Sequence, residues 1–383
     1  MSIPEDAREL FELPESVTYL NCAYMSPQLR AVREAGERAI ARGSRPWEIT
    51  PPDFFSGPER VRELFAELVG GDAAGVALVP AASYGLAVAA ANLPVRAGEE
   101  VLVLAEEFPS NFYAWRELAA RAGARLVTVP RPADHDWTAA VLDRLGPDTA
   151  VVAAPNCHWT DGSLVDLAVV GAEAREAGAA LVVDATQSLG AYPLDVSEAR
   201  PDFLVAAGYK WLLGPYSFGY LYAAPHRRAG RPLEQNWITR SGAEDFAGLT
   251  DYSAGYAPGA RRYDVGERSN FTLLPMAEAA LTHLLEWGVE EISARLAALT
   301  AEVSRLAAAA GLESVPRERL AGHMTGVRLG PRTPPDLAAR LAAEGVYVSL
   351  RGESLRVAPH VYNTTADVER LFGALSGIPG GAL

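Results

Sequence analysis

Lys210 lies in Phe203-Leu-Val-Ala-Ala-Gly-Tyr-Lys-Trp-Leu-Leu-Gly-Pro, an apolar run that breaks at glycine and sets one lysine in a turn. Most lysines are solvated surface charges. One becomes a nucleophile only where its surroundings favour the neutral amine or hold it as a Schiff base. A second apolar run, Leu181-Val-Val-Asp-Ala-Thr-Gln-Ser-Leu-Gly, ends in Asp184, 26 positions upstream. An acid at one strand end and an amine at the next indicate a cofactor held between them.

Those two residues need a scaffold that repeats strand ends along one edge. From about residue 60 to 225, short β-type runs alternate with alanine-rich helical stretches: Val76 to Val79, Glu100 to Leu104, Arg125 to Val129, Ala150 to Ala154, Ala180 to Val183, Phe203 to Ala206 and Gly219 to Tyr222. Strands apolar throughout and separated by helices predict an α/β fold: a mostly parallel seven-stranded sheet flanked by helices and buried on both faces. Ligands of such sheets bind beyond the carboxyl ends of the strands. The stretch from about Arg231 to Asn270 lacks periodicity and reads as a long loop over the site or at a subunit contact. Beyond Pro275 the pattern predicts a helix through Trp287, another over about 289–310, and strands near Met324 to Leu329, Val346 to Leu350 and Ser354 to Val357. The expected division is a large domain with an N-terminal arm over 1–270 and a smaller α+β domain over 271–383.

A length of 383 residues supports a large core, and 49% of the residues are apolar. The net charge of -14 argues against a nucleic-acid or anionic-membrane surface, either of which needs a basic patch. A small molecule is the expected partner. Two cysteines, Cys22 and Cys157, form no disulfide framework and have no metal-ligand spacing to the six histidines. No metal is expected, and a reducing, cytoplasmic setting fits. No signal peptide or membrane span is read.

A pyridoxal phosphate site needs a phosphate cradle, a stacking face, an acid for the pyridine nitrogen and a lysine for the aldehyde. In Val79-Pro-Ala-Ala-Ser-Tyr-Gly, small residues open a helix whose free N–H groups suit an anion, with Ser83 adding a hydroxyl. Phe108, in Glu107-Phe-Pro-Ser-Asn, follows a strand and offers the stacking face. Asp184 would pair with the pyridine nitrogen, Gln187 could reach the ring hydroxyl, and Lys210 would hold the aldehyde and later move the α-proton. Singly each has a plainer role: a helix cap, a core ring, a turn acid, a surface charge.

Jointly, Asp-Ala-Thr-Gln-Ser-Leu-Gly, Gly-Tyr-Lys-Trp-Leu-Leu-Gly-Pro and Gly-Tyr-Leu-Tyr resemble the core of the class V aminotransferases. The similarity runs from Tyr19-Leu-Asn-Cys-Ala-Tyr-Met-Ser to Leu355-Arg-Val-Ala-Pro-His-Val-Tyr-Asn. The resemblance implies the aspartate aminotransferase fold, pyridoxal phosphate fold type I, with Lys210 as the Schiff-base lysine and Asp184 and Gln187 on the ring. It places Ala82, Ser83 and Tyr209 at the phosphate, and Arg356 at the substrate carboxylate, which a guanidinium binds bidentately. Phe108 and Trp237 match kynureninase positions and pull the chain toward that side. In Pro155-Asn-Cys-His-Trp-Thr-Asp-Gly either Asn156 or His158 takes the family's asparagine position. Glu267 stands where the family often has threonine, which shifts a second-subunit phosphate contact to Arg268, Ser269 or Asn270. A homodimer with sites near its interface follows from the same resemblance.

Cysteine desulfurases carry a cysteine in the loop before the carboxylate-binding arginine, where this chain has Arg351-Gly-Glu-Ser. Persulfide formation by that route is therefore not expected. Transamination and β-elimination, including C–S lysis, lead, with kynurenine-type hydrolysis and epimerisation as alternatives, all on a small α-amino acid. A non-enzymatic regulator is disfavoured because no helix-turn-helix domain accompanies Lys210 and Asp184. A nucleotide-binding protein is disfavoured because no Gly-x-Gly-x-x-Gly or Gly-Lys-Ser/Thr run is present.

Overall fold

The computed structural model describes residues 3–329 and 333–377. Its main sheet contains β1 (Val76–Val79), β2 (Glu100–Leu104), β3 (Arg125–Val129), β4 (Thr149–Pro155), β5 (Ala180–Asp184), β6 (Phe203–Ala207) and β7 (Gly219–Ala223). Their order is β1-β7-β6-β5-β4-β2-β3. All neighbours are parallel except those of β7, which runs against both β1 and β6. β1 therefore points the same way as β2, β4, β5 and β6. All five deliver their carboxyl ends to one edge.

Alternation along the strands sorts side chains to two cores. Val101, Val103, Val151, Val182 and Val205 pack with Leu86 and Trp115 from α3 (Ala82–Asn92) and α4 (Pro109–Ala122). Leu102, Val152, Val183 and Leu204 join the larger core on the opposite face. Gly85 in α3 faces β6 so closely that a Cβ there would lie 2.6 Å from the Val205 Cγ1 atom. The helix can therefore sit low on the sheet, with its N-terminus at the strand-end edge.

Helices α1 (Arg30–Gly43) and α2 (Asp53–Leu68) pack against α5 (Leu273–Trp287), which leads into α6 (Val289–Ala309). Pro275 falls in the first turn of α5, where its missing N–H costs nothing. The C-terminal sheet is antiparallel, ordered β10-β11-β9-β8, with β8 Glu313–Ser314, β9 Thr325–Arg328, β10 Ser349–Arg351 and β11 Ser354–Val357. The single strand expected over 346–350 is split, because its two halves have different partners. Val346–Tyr347 pairs in parallel with Thr18–Tyr19 of the N-terminal arm, whereas β10 pairs with β11. The 231–270 stretch holds short 3-10 turns at Phe246–Gly248 and Gly259–Tyr263 and one isolated antiparallel bridge between Arg240 and Tyr256. Asp264 anchors it by accepting hydrogen bonds from the Leu78 N–H at 2.8 Å and from Arg62 and Arg268.

Candidate active site

A cavity of about 350 Å³ opens at the common strand-end edge, within the size range of small-molecule sites. β1 leads into it through Ala81 to the N-terminus of α3, β2 through Glu107 and Phe108, β5 through Asp184 to Gln187, and β6 through Tyr209 and Lys210. The turn carrying Lys210 closes tightly. The Gly208 N–H donates to the Phe218 carbonyl at 2.8 Å, and a Cβ on Gly208 would lie 2.9 Å from that same oxygen.

Lys210 is 5% exposed, with its Nζ 5.3 Å from the Phe108 ring centroid and 5.7 Å from that of Tyr209. Among the described residues its Nζ makes no hydrogen bond or ion pair, while its carbonyl accepts from the Leu213 N–H at 3.0 Å. Burial, with Arg356 adding repulsion, pulls the Lys210 amine down to about 8, against the counter-pull of Asp184. Asp184, the last residue of β5, accepts a hydrogen bond from the Thr186 N–H at 3.0 Å, yet burial still holds its carboxyl above the ordinary value. Glu107 is buried in the same wall. Its Oε1 accepts from the Phe108 N–H at 2.6 Å while Oε2 has no partner, and burial pushes it up to about 8.

Helix α3 starts at Ala82 with no side chain capping it, so the N–H groups of Ala82 and Ser83 stay available at the cavity wall. Gln187 reaches the wall with both ends of its amide engaged: Nε2 donates to the Ala23 carbonyl at 3.1 Å, and Oε1 accepts from Trp211 at 3.0 Å. Arg356, in β11, is 1% exposed. Its Nη1 donates to the Trp159 carbonyl at 2.8 Å, while Nε and Nη2 have no partner.

The structure separates Asn156 from His158. His158 stacks on Trp137 and spends both nitrogens on the protein, Nε2 on the Ala105 carbonyl and Nδ1 on the Thr160 hydroxyl. Burial keeps its imidazole below the ordinary value and neutral near pH 7. Asn156 donates to the Val165 carbonyl and leaves a buried Oδ1 unpartnered. Neither lines the cavity, but their neighbour Cys157 does.

Trp237, Ser269 and Asn270 lie away from this chain's cavity. Trp237 packs against Phe54 and Phe246 beside a separate hollow. The Ser269 hydroxyl donates to the Phe54 carbonyl, Asn270 accepts from the first N–H groups of α5, and Arg268 is tied to Asp264 at 2.7 Å. Sequence reasoning passed over Trp159, Thr186, Glu107 and the Tyr216-Ser-Phe wall. Glu107 stands directly before the chosen phenylalanine, and Trp159 sits inside the motif read for its asparagine. Among the described residues there is no cluster of His, Cys, Asp and Glu that could hold a metal, and no helix long and apolar enough to cross a membrane.

Residues 52–371 match the family model for aminotransferase class V. The chain is 27% identical over 381 residues to the uncharacterized aminotransferase YcbU of Bacillus subtilis (strain 168), covering 96% of this chain and 95% of that protein. It is 28% identical over 397 residues to isopenicillin N epimerase of Streptomyces clavuligerus, covering 98% of each. The fold superposes with a TM-score of 0.87 on the cystine C-S lyase C-DES, solved with its reaction product cysteine persulfide, at 20% identity over 95% of this chain and 98% of that one. With a model match spanning most of its length, this chain belongs to the class V aminotransferases, a family of pyridoxal-phosphate-dependent enzymes.

Proposed function

We propose that the cavity holds pyridoxal phosphate attached to Lys210, and that the enzyme transfers the amino group of a small α-amino acid or eliminates its β-substituent. The observation that carries this is Lys210 itself: a buried amine without a protein partner, poised near neutrality and facing Phe108 and Asp184 in one cavity. The site residues fit the group. The uncapped N-terminus of α3, with Ala82 and Ser83, suits a phosphate, and Tyr209 lines the same wall. Phe108 offers a ring face, and Asp184 a carboxylate able to hold the proton of the pyridine nitrogen. When bound, the pyridoxal ring supplies an electron sink for charge developing at the substrate α-carbon.

The protein's own part is to bind, orient and move protons. Arg356 presents Nε and Nη2 as a ready fork for the substrate carboxylate. Lys210, with its amine held near 8, can take the α-proton and return it. The same Lys210 proton relay also serves epimerisation, the activity named for a relative that covers 98% of this chain. Hydrolysis of a kynurenine-type substrate remains the second alternative. We further infer a cytoplasmic homodimer. Two buried, free cysteines support the reducing setting, and Trp237 and Tyr252, 40% and 95% exposed, support a second subunit over the 231–270 loop.

The test is optical. The purified protein is expected to absorb visible light through its lysine-bound cofactor, to shift on amino-acid addition, and to lose the band in Lys210→Ala. Borohydride should fix the cofactor's mass on the peptide containing Lys210, and an unmodified peptide would overturn the assignment. Product assay then sorts the reactions: a keto acid for transfer, pyruvate with sulfide or thiol for C–S lysis, anthranilate for kynurenine hydrolysis, and inverted α-carbon configuration for epimerisation.

A further inference from the structure

A second arginine, Arg351, stands beside Arg356 and against Trp159 of the cavity wall, although neither arginine lines the cavity itself. Arg351 ends β10, and the register of the hairpin sets Ser349 opposite Arg356. Side chains two positions apart on a strand share a face, so Arg351 is the diagonal neighbour of Arg356, with Cα atoms about 7–8 Å apart by ordinary sheet geometry.

Trp159 ties the two together. Its indole N–H donates to the Glu106 carbonyl at 2.6 Å, its edge meets Phe108 at 5.5 Å, and its backbone carbonyl receives Arg356. The Arg351 guanidinium lies 5.5 Å over its ring face. Arg351 is half-buried, donates only to the neighbouring Leu350 carbonyl, and forms no ion pair among the described residues.

None of the carboxylates around it forms an ion pair with it among the described residues. Arg351 lines a cleft of about 580 Å³ that begins where Trp159 gives way to Thr160 and Asp161. In that cleft Glu106 and Asp161 pair with Arg131, at 2.8 and 2.5 Å, and Glu353 pairs with Arg328 at 3.1 Å. Asp134, His135 and Glu313 also line that cleft, while the groups that interact electrostatically with Arg351 are Arg356 and Lys210, both positive when protonated, and the Tyr24 phenol. Burial first, and then the adjacent Arg351, pull Arg356 down to about 9, so the two like charges repel across the hairpin. Such a pair is relieved by anions, and Arg356 has a fork for only one carboxylate.

We propose that Arg351 is a second anion-binding position, so that the preferred substrate is an α-amino acid whose side chain ends in an acidic group. This rests on the reading of Arg356 as the α-carboxylate site. Arg351 would then select among amino acids, and Trp159 would hold its guanidinium in place.

The holoenzyme is to be titrated at fixed ionic strength with glutamate against glutamine and aspartate against asparagine, following the visible band. The acidic member of each pair is expected to bind about tenfold tighter or more, the scale of one added charge-assisted contact. In Arg351→Ala that ratio falls to near one, and Arg351→Lys retains part of it. A thermal melt supplies a readout independent of turnover: glutarate raises the Tm of the wild-type protein more than valerate does, and Arg351→Ala removes the difference. Equal binding within each pair while the band still responds, or an acid preference that survives in Arg351→Ala, overturns the proposal. A band that responds to no amino acid at all defeats the underlying reading instead, and this inference with it.

Discussion

Arg356 carries the clearest single-residue consequence, because a buried guanidinium with two unpartnered nitrogens is costly until an anion arrives. Arg356→Ala is expected to weaken amino-acid binding by about tenfold to a hundredfold while leaving the cofactor band in place, measured by the same absorbance titration. Glu107 gives a pH prediction. Its carboxyl stays protonated in the folded chain up to about 8, whereas the unfolded chain releases that proton near the ordinary value of 4.5. Between those two values the folded state binds more protons, so this contribution to stability falls as pH rises, by at most about 1.4 kcal/mol per pH unit. Glu107→Gln should remove that slope from denaturant midpoints measured between pH 5 and 8. The lysine acts in a separate window: its depressed value makes stability rise with pH only above about 8. Lys210 and Asp184 were legible in the sequence because each ends an apolar run. Glu107 was not, since a buried neutral acid and a solvated turn acid are spelled alike.

At the level of elements, the site depends on how low α3 sits against β6. Gly85→Ala would place its methyl 2.6 Å from the Val205 Cγ1 atom, forcing the helix off the sheet and displacing its N-terminus. A loss of about 1–3 kcal/mol in stability is expected from a denaturant melt, together with weaker retention of the cofactor on dialysis. The seven main strands were readable to within a residue or two, since the inner ones are buried on both faces and read as apolar runs bounded by breakers, while the edge strand Arg125–Val129 keeps Arg125 and Thr128 exposed. The C-terminal part was harder: 346–350 is one run in sequence but serves two sheets, and only the arriving arm at Thr18–Tyr19 reveals the split. His158 and Asn156 were inseparable in sequence because the deciding groups, Trp137, Ala105 and Thr160, come in part from other elements.

For the whole molecule, the expected dimer is tested by light scattering, and a monomer with full activity would contradict it. Trp237→Ala, at an exposed aromatic hollow, is expected to shift that equilibrium toward monomer. The N-terminal arm reaches both halves of the chain. Its Asn21 carboxamide accepts from Ser349 and its Cys22 N–H donates to Ala358, while the Ala23 carbonyl holds Gln187 and the Ser26 N–H donates to the Tyr209 carbonyl beside Lys210.

That arm also sets a schedule. Thr18 pairs with Val346, a separation of 346 − 18 = 328 residues, while every strand of the main sheet lies within 76–223. During synthesis, at about 5–20 residues per second, the sheet can assemble while the arm waits for a partner that has not yet been made. Residues 18 and 19, made long before 346 and 347, are thus among the last to find their place.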